Sequence, residues 1–483
     1  MKKQELIFIP GPGAGHLSSG LELAKRLLDH DDGLSITALV MNMPFTSSID
    51  SYTRSLTASQ PRIKFVHLPE VDPPPSDLVR KSPEAYICDF IESHITQVRA
   101  AVTDIISSLS NSDVRVAGFV LDFFCVSMID IANEFSLPPY IFITSNAGFL
   151  GLMLYLPGRH DEISEVMKMS DPDSLIPGIL NPVPARVLPD AVFNEDGGYD
   201  TYVKVARRFK DGKGIIVNTF AELEPFVLRS FSDDHRIPPV YPVGPVLQLK
   251  GQPHPDLNQD QVDRIMKWLD EQPQSSVVFL CFGSYGSFSL PQVKEIALGI
   301  EQSGFRFLWS IRFPLSTSSP FMNPEDALPE GFLERTEGRG IMCGWAPQVE
   351  VLAHRAVGGF VSHCGWNSIL ESLWYGVPIV TLPIYAEQQL NAFRMVKELG
   401  LSVELKLDYR QGGGDLVSAD EIAKSVTCAM QSDSEVRKKV KEMSEKGREA
   451  VKEMSEKGRE AVMDGGNSFT SITQLVEDIA GNS

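Results

Sequence analysis

The stretch WAPQVEVLAHRAVGGFVSHCGWNSILESLWYGVPIVTLPIYAEQ, residues 345–388, decides how the chain is read. Residues 357–361, VGGFV, are an apolar run of the length of a buried strand. The run stops at the polar SHCGWNS of residues 362–368. A helical pattern follows, apolar at Ile369, Leu370, Leu373 and Trp374, and Gly376 stands where that helix would close. Residues 377–382, VPIVTL, predict a second strand, which Pro383 ends. Glu387 and Gln388 then open a second helix, expected to run to Gly400. Successive strand-loop-helix units predict a parallel α/β sheet. In such sheets the loops after strands gather at the carboxyl edge, where ligands bind. His363, Asn367, Ser368, Glu387 and Gln388 are therefore expected to face one crevice.

Working outward, 483 residues exceed one ordinary core, so two domains are expected. A hydrophobic content of 43% and a charged content of 22% are those of a globular chain. The net charge of −19 argues against a nucleic-acid partner and against an anionic membrane surface. The apolar runs are too short for a membrane span, and the first, residues 6–9, is too short for a signal peptide. Cys88, Cys125, Cys281, Cys343, Cys364 and Cys428 show no CxxC spacing, which predicts reduced thiols in the cytoplasm and no zinc site. A monomer is expected.

The chain opens with a strand over residues 5–10, the loop Gly11-Pro12-Gly13-Ala14-Gly15-His16, and a helix over residues 17–28. Its glycines are spaced G-x-G-x-G, not the G-x-G-x-x-G of a dinucleotide site. Strands are predicted at 35–40, 64–68, 116–121, 140–143, 215–218 and 240–244, with one long amphipathic helix over 83–108. Asp122 falls where the 116–121 strand ends. The pattern restarts at residues 276–282, after a proline- and glycine-bearing stretch. The expected division is a first domain at 1–245, a linker at 246–261, a second domain at 262–462 and a closing helix at 463–483. Residues 316–326 read as a polar insertion. The eleven residues 441–451, KEMSEKGREAV, recur letter for letter at 452–462. Eleven residues are close to three helical turns, so the copy keeps one face inward.

His16 sits at a helix N-terminus, whose dipole favours the neutral ring that a general base needs. Asp122 could reach it and fix the ring's tautomer. The same two residues could instead cap a loop and satisfy backbone amides. A serine hydrolase lacks its G-x-S-x-G elbow here, and Asp171-Pro172-Asp173 reads as a turn rather than a metal pair. In the 362–368 loop, Gly365 and the free amides of the following helix make an anion pocket. His363, Asn367, Ser368 and Ser284 would add donors, enough to hold a diphosphate without a metal. Trp345 could stack on a flat base or simply pack, and Glu371 could pair with ribose hydroxyls. Glu387 and Gln388 offer the acceptors and donors a sugar needs.

Residues 345–388 resemble the plant secondary product glycosyltransferase box of family 1 UDP-glycosyltransferases, in length, in the W-x-x-Q opening, in the HCGWNS core and in the Glu-Gln ending. The likeness extends to PGxGH at the start, LDFF at Asp122 and FGS at Ser284, and is strongest to the flavonoid and triterpenoid branch. The resemblance implies a GT-B fold, two Rossmann-like domains facing across a cleft, the first holding the acceptor and the second UDP-glucose. It implies an inverting, metal-independent transfer without a cofactor, with His16 as base and Asp122 as its partner. It assigns Trp345 to uracil, Gln348 to uridine, Glu371 to ribose and Ala346 to the donor site. Ser284, His363, Gly365, Asn367 and Ser368 would hold the diphosphate, and Trp366, Glu387, Gln388 and Thr144 the sugar. Gln388 at the end of the box favours glucose. The acceptor, a flavonoid, another phenolic or a triterpenoid, is expected against Phe90, Phe123, Phe124, Phe149, Met153 and Val187. Two departures stand out: Leu382 where many members carry Trp, and the duplicated helix, which would displace a closing helix that in the family crosses back to the first domain.

Overall fold

The computed structural model describes residues 3–44, 60–232, 234–249, 257–312, 327–457 and 467–481. The chain divides into two compact units: Met1–Ala185 with Asp190–Gln248 and Gly447–Ser483, and Arg186–Pro189 with Leu249–Lys446.

The first unit holds seven parallel strands: β1 (Lys3–Ile9), β2 (Leu34–Val40), β3 (Ile63–His67), β4 (Val114–Asp122), β5 (Pro139–Ile143), β6 (Gly214–Val217) and β7 (Val240–Pro242). Their order is β3-β2-β1-β4-β5-β6-β7. The sequence winds outward from β1 in one direction, then from β4 in the other, so the order reverses between β1 and β4. Such a reversal opens a crevice at the carboxyl ends of those two strands. The central strands β1, β4 and β5 are buried along most of their length, as a sheet covered by helices on both faces requires.

The second unit repeats the scheme with six parallel strands: β8 (Val277–Cys281), β9 (Arg306–Ser310), β10 (Gly340–Cys343), β11 (Val357–Ser362), β12 (Ile379–Thr381) and β13 (Ser402–Glu404). Their order is β10-β9-β8-β11-β12-β13, and here the reversal falls between β8 and β11. The helix Trp366–Tyr375 follows β11 and ends at Gly376, whose φ of 71° supplies the left-handed turn.

Three elements differ from the sequence reading. The helix expected over 83–108 is two, Pro83–Ser93 and Ile95–Leu109, broken at His94. There the buried imidazole Nδ1 lies 2.9 Å from the Phe90 carbonyl, and the Ser93 hydroxyl donates to the same oxygen at 2.7 Å. These side chains take up the acceptor that a continuing helix would use. The helix opened by Gln388 is α-helical only to Phe393 and continues as a π turn over Arg394–Glu398, where Arg394 pairs with Glu398 at 2.8 Å. The chain returns to the first unit at Gly447 rather than at 463, inside the first copy of the repeat. The helix Glu435–Lys457 runs into the second copy, whose last residues lie outside the described ones, as does the 316–326 insertion. Ile472, Leu475 and Ile479 of the closing helix Asn467–Gly481 join the core of the first sheet.

Candidate functional site

The first constellation grows from the reversal between β1 and β4. Pro10 stops β1, and the helix Ala14–His30 begins after Gly13 with no side-chain cap. His16 is the third residue of that helix, and Asp122 is the last residue of β4. Their elements bring His16 Nδ1 to 2.7 Å from the Asp122 carboxylate. The carboxylate is buried and its other oxygen accepts from the Phe124 amide at 3.0 Å, so it cannot turn away. A carboxylate only accepts, which puts the proton on Nδ1 and the lone pair on Nε2. The imidazole remains 31% exposed. Gly11 makes the contact possible: a Cβ there would stand 2.9 Å from the Asp122 Oδ1 and 3.2 Å from the His16 Cβ. Thr144 stands beside His16, its hydroxyl 3.4 Å from Nδ1.

Three of the six residues expected to hold an acceptor form one aromatic row beside His16. Phe123 and Phe124 lie 5.6 and 5.7 Å from the His16 ring, and Phe149 lies 5.6 Å from Phe123. Tyr202, which the sequence reading missed, extends the row edge-on at 6.1 Å from Phe149. Phe90 packs on His94 at 4.7 Å, at the break between helices, and Met153 is fully buried in the helix Ala147–Glu162. Val187 belongs to the second unit. Arg410 draws its segment there by donating to the Arg186 and Leu188 carbonyls at 2.9 and 2.6 Å, and Arg186 pairs with Asp408.

The second constellation grows from the reversal between β8 and β11. Gly283 after β8 has a φ of 75°, and Cys364 after β11 has one of 62°, a strained conformation for a residue with a Cβ. Between these loops the His363 ring is held so closely that a Cβ on Gly283 or on Gly365 would meet its Nε2 at 2.5 or 2.6 Å. Burial, and then Arg312, push the His363 imidazole down to about 4, so it is a neutral donor or acceptor at physiological pH. Gly365 precedes the helix Trp366–Tyr375 and gives its amides no side-chain cap. Those amides and the dipole behind them suit an anion. Gln348 donates to the Ser368 hydroxyl at 2.8 Å and to the Glu371 carboxylate at 2.7 Å, which ties three of the expected residues into one network. Burial raises the Glu371 carboxyl to about 7. Ala346 and Trp366 are buried.

The Glu387-Gln388 turn carries another strained residue, Ala386, with φ at 56°. Gln388 Oε1 accepts from the Ile384 and Tyr385 amides at 2.9 and 3.1 Å, so the carbonyl end of its side chain braces the turn. Asn391, one turn later, donates to the Cys364 carbonyl at 3.1 Å and holds the strained 362–365 loop from behind. Ser284 is exposed at the loop tip, and its carbonyl accepts from Arg312 at 3.2 Å.

Residues 202–419 match the family model described as UDP-glucoronosyl and UDP-glucosyl transferase. UDP-glycosyltransferase 71K1 of Malus domestica is 54% identical, with all of both chains covered. The chain belongs to the plant family 1 UDP-glycosyltransferases. Flavonol 3-O-glucosyltransferase UGT71C4 of Arabidopsis thaliana is 49% identical over 99% of this chain and 98% of that one. Among solved structures, Medicago truncatula UGT71G1 complexed with UDP-glucose is 55% identical, covers 99% of each chain and superposes with a TM-score of 0.90. Both units of this UDP-glycosyltransferase therefore have the parallel-sheet architecture of the GT-B class. No cluster of acidic, histidine and cysteine side chains suited to a metal occurs among the described residues.

Arg312 is the main residue of this UDP-glycosyltransferase that motif reading passed over. It lies just past β9, the strand beside β8, and its guanidinium sits 4.5 Å from the centroid of the Trp345 ring. The rule that ligand-binding side chains follow strand ends would have found it.

Proposed function

We propose that the chain transfers glucose from UDP-glucose to a hydroxyl of a small apolar or aromatic plant metabolite, a flavonoid, another phenolic or a triterpenoid, with inversion and without a metal. The observation that carries the mechanism is the 2.7 Å hydrogen bond between His16 and Asp122. In this reading Nε2 of His16 takes the acceptor's hydroxyl proton, and Asp122 stabilises the imidazolium that results. The freed oxygen forms a bond to the anomeric carbon of the α-linked sugar. The bond from that carbon to the β-phosphate oxygen breaks, its electron pair leaves with UDP, and a β-glucoside results. Phe123, Phe124 and Phe149 supply flat apolar surface next to the base. Trp345 takes the uracil, Gln348 and Glu371 the uridine sugar, Ser284, His363, Gly365, Asn367 and Ser368 the diphosphate, and Trp366, Glu387 and Gln388 the glucose, with Ala346 in the same donor site. The network joining Gln348, Ser368 and Glu371 supports the donor half of this assignment. So does the name of a relative solved with UDP-glucose, and a flavonol glucosyltransferase at 49% identity supports the acceptor class. Six free cysteines suit a monomer at work in the reducing cytoplasm.

The test is UDP release from UDP-glucose with a panel of flavonols, simple phenols and triterpenes, with products read by mass spectrometry and the anomeric configuration by NMR. Glucosides of β configuration, formed at the same rate with a chelator present, are expected. UDP binding without release for any acceptor would refute the reading.

A further inference from the structure

The donor pocket contains a cation to which no sequence motif points. Arg312 Nη1 donates to the Ser284 carbonyl at 3.2 Å, and Nη2 donates to the Gly283 carbonyl. The guanidinium carbon lies over the Trp345 ring. Its Nε–H is buried and has no hydrogen-bond partner among the described residues. No carboxylate pairs with Arg312 among them either. A buried N–H without an acceptor is costly. The loop whose carbonyls it holds is one of the two that close on His363, which is neutral and brings no charge. The helix behind Gly365 contributes only a partial charge. A diphosphate entering a chain of net charge −19 is favoured by a full positive charge close by.

We infer that Arg312 is the counter-charge for the donor's diphosphate, reached through the guanidinium edge that the two carbonyls leave open. This rests on the donor reading of the pocket given above. The two carbonyls and the Trp345 ring hold the guanidinium in one plane, so it is oriented before the ligand arrives. When the bond to the anomeric carbon breaks, the electron pair stays on the β-phosphate oxygen and UDP gains one negative charge. Arg312 then stabilises the departing UDP more than it stabilised the bound donor, so its removal should lower the turnover rate as well as donor affinity.

The experiment is calorimetric titration of the full chain with UDP and, separately, with uridine, for the wild type, Arg312→Gln and Arg312→Lys. Arg312→Gln is expected to bind UDP on the order of tenfold to a hundredfold more weakly, the range of a lost charge-assisted contact. Its uridine affinity should stay within about twofold, which also shows that the pocket is folded. Arg312→Lys should recover part of the UDP affinity, as a point charge without the fork geometry. Unchanged UDP affinity in Arg312→Gln overturns the inference. Equal losses for UDP and uridine overturn it too, because Arg312 would then serve only to position Trp345. Tighter UDP binding would mean that the guanidinium competes with the base for the indole, and would overturn it as well. A wild-type chain that binds uridine no worse than UDP defeats the inference and leaves the rest of the donor reading standing. One that binds neither defeats both.

Discussion

Gly11 is the residue on which the His16–Asp122 pair depends. Its missing side chain leaves room for the Asp122 carboxylate, which a Cβ would approach to 2.9 Å. That carboxylate is pinned by the Phe124 amide, so it cannot retreat without losing a buried hydrogen bond. Gly11→Ala is therefore expected to tilt the imidazole and cut the turnover rate by at least tenfold while leaving UDP affinity unchanged, as steady-state rates and UDP titration would show. His16→Ala should cost on the order of a hundredfold or more in rate if His16 is the base, again with UDP affinity intact. The spacing of PGxGH made His16 legible in the sequence, and its position at a strand end did the same for Asp122. The role of Gly11 was not legible, because the atom it must avoid is over a hundred positions away in the chain. Glu371 offers a pH test. Its carboxyl is raised from 4.5 to about 7 by burial, so the folded chain holds that proton more tightly than the unfolded chain does. The resulting stabilisation is full below about 4.5 and is lost as the pH rises through about 7. Melting temperatures of the wild type, taken relative to Glu371→Gln, should fall across that window and level off above it. A flat difference would mean that the carboxyl ionises normally.

At the scale of elements, what matters is which loops a strand order places side by side. The strand-loop-helix pattern of residues 345–388 was readable because each apolar run was bounded by glycine, proline or a polar cluster. The reversal points were not readable, because strand order is set by packing partners far apart in sequence. Those reversals pair the loop after β1 with the end of β4, and the loop after β8 with the loop after β11. The break at His94 was hidden for a related reason: the apolar periodicity runs through it unbroken, and only the side-chain hydrogen bonds to the Phe90 carbonyl interrupt the helix. In the second unit the two loops press on His363 from both sides. Gly283→Ala should suffer twice, from a φ of 75° and from a Cβ 2.5 Å from the imidazole Nε2. Displacement of His363 is expected, with UDP affinity reduced about tenfold or more and the His16–Asp122 pair untouched. Calorimetric titration with UDP would check it, and full UDP affinity in this variant would show that His363 is not part of the donor pocket.

At the scale of the whole molecule, the first unit is completed last. Its sheet is formed by residues before Gln248, yet Leu475, Ile472 and Ile479 from the far end of the chain are buried in the same core as Leu6, Leu27 and Tyr241. The closing helix is fastened at its polar positions as well: Tyr241 donates to Asp478, and His30 Nε2 lies 3.1 Å from the Thr473 hydroxyl. The resemblance implied a closing helix that returns to the first domain, but nothing local in the sequence names the side chains it meets there. Leu475 has no exposed surface, and truncating a buried leucine to alanine costs about 2–5 kcal/mol. Leu475→Ala should therefore lower the stability of the first unit by that amount, measured by urea denaturation. The residues proposed to hold UDP all lie in the second unit, so saturating UDP should protect the second transition and leave the first where the mutation put it. Loss of glucosyl transfer at a urea concentration where UDP still binds is the expected signature. If UDP restored the first transition to its wild-type midpoint, the two units would be unfolding together, and the closing helix would be stabilising the whole chain rather than the sheet it packs on.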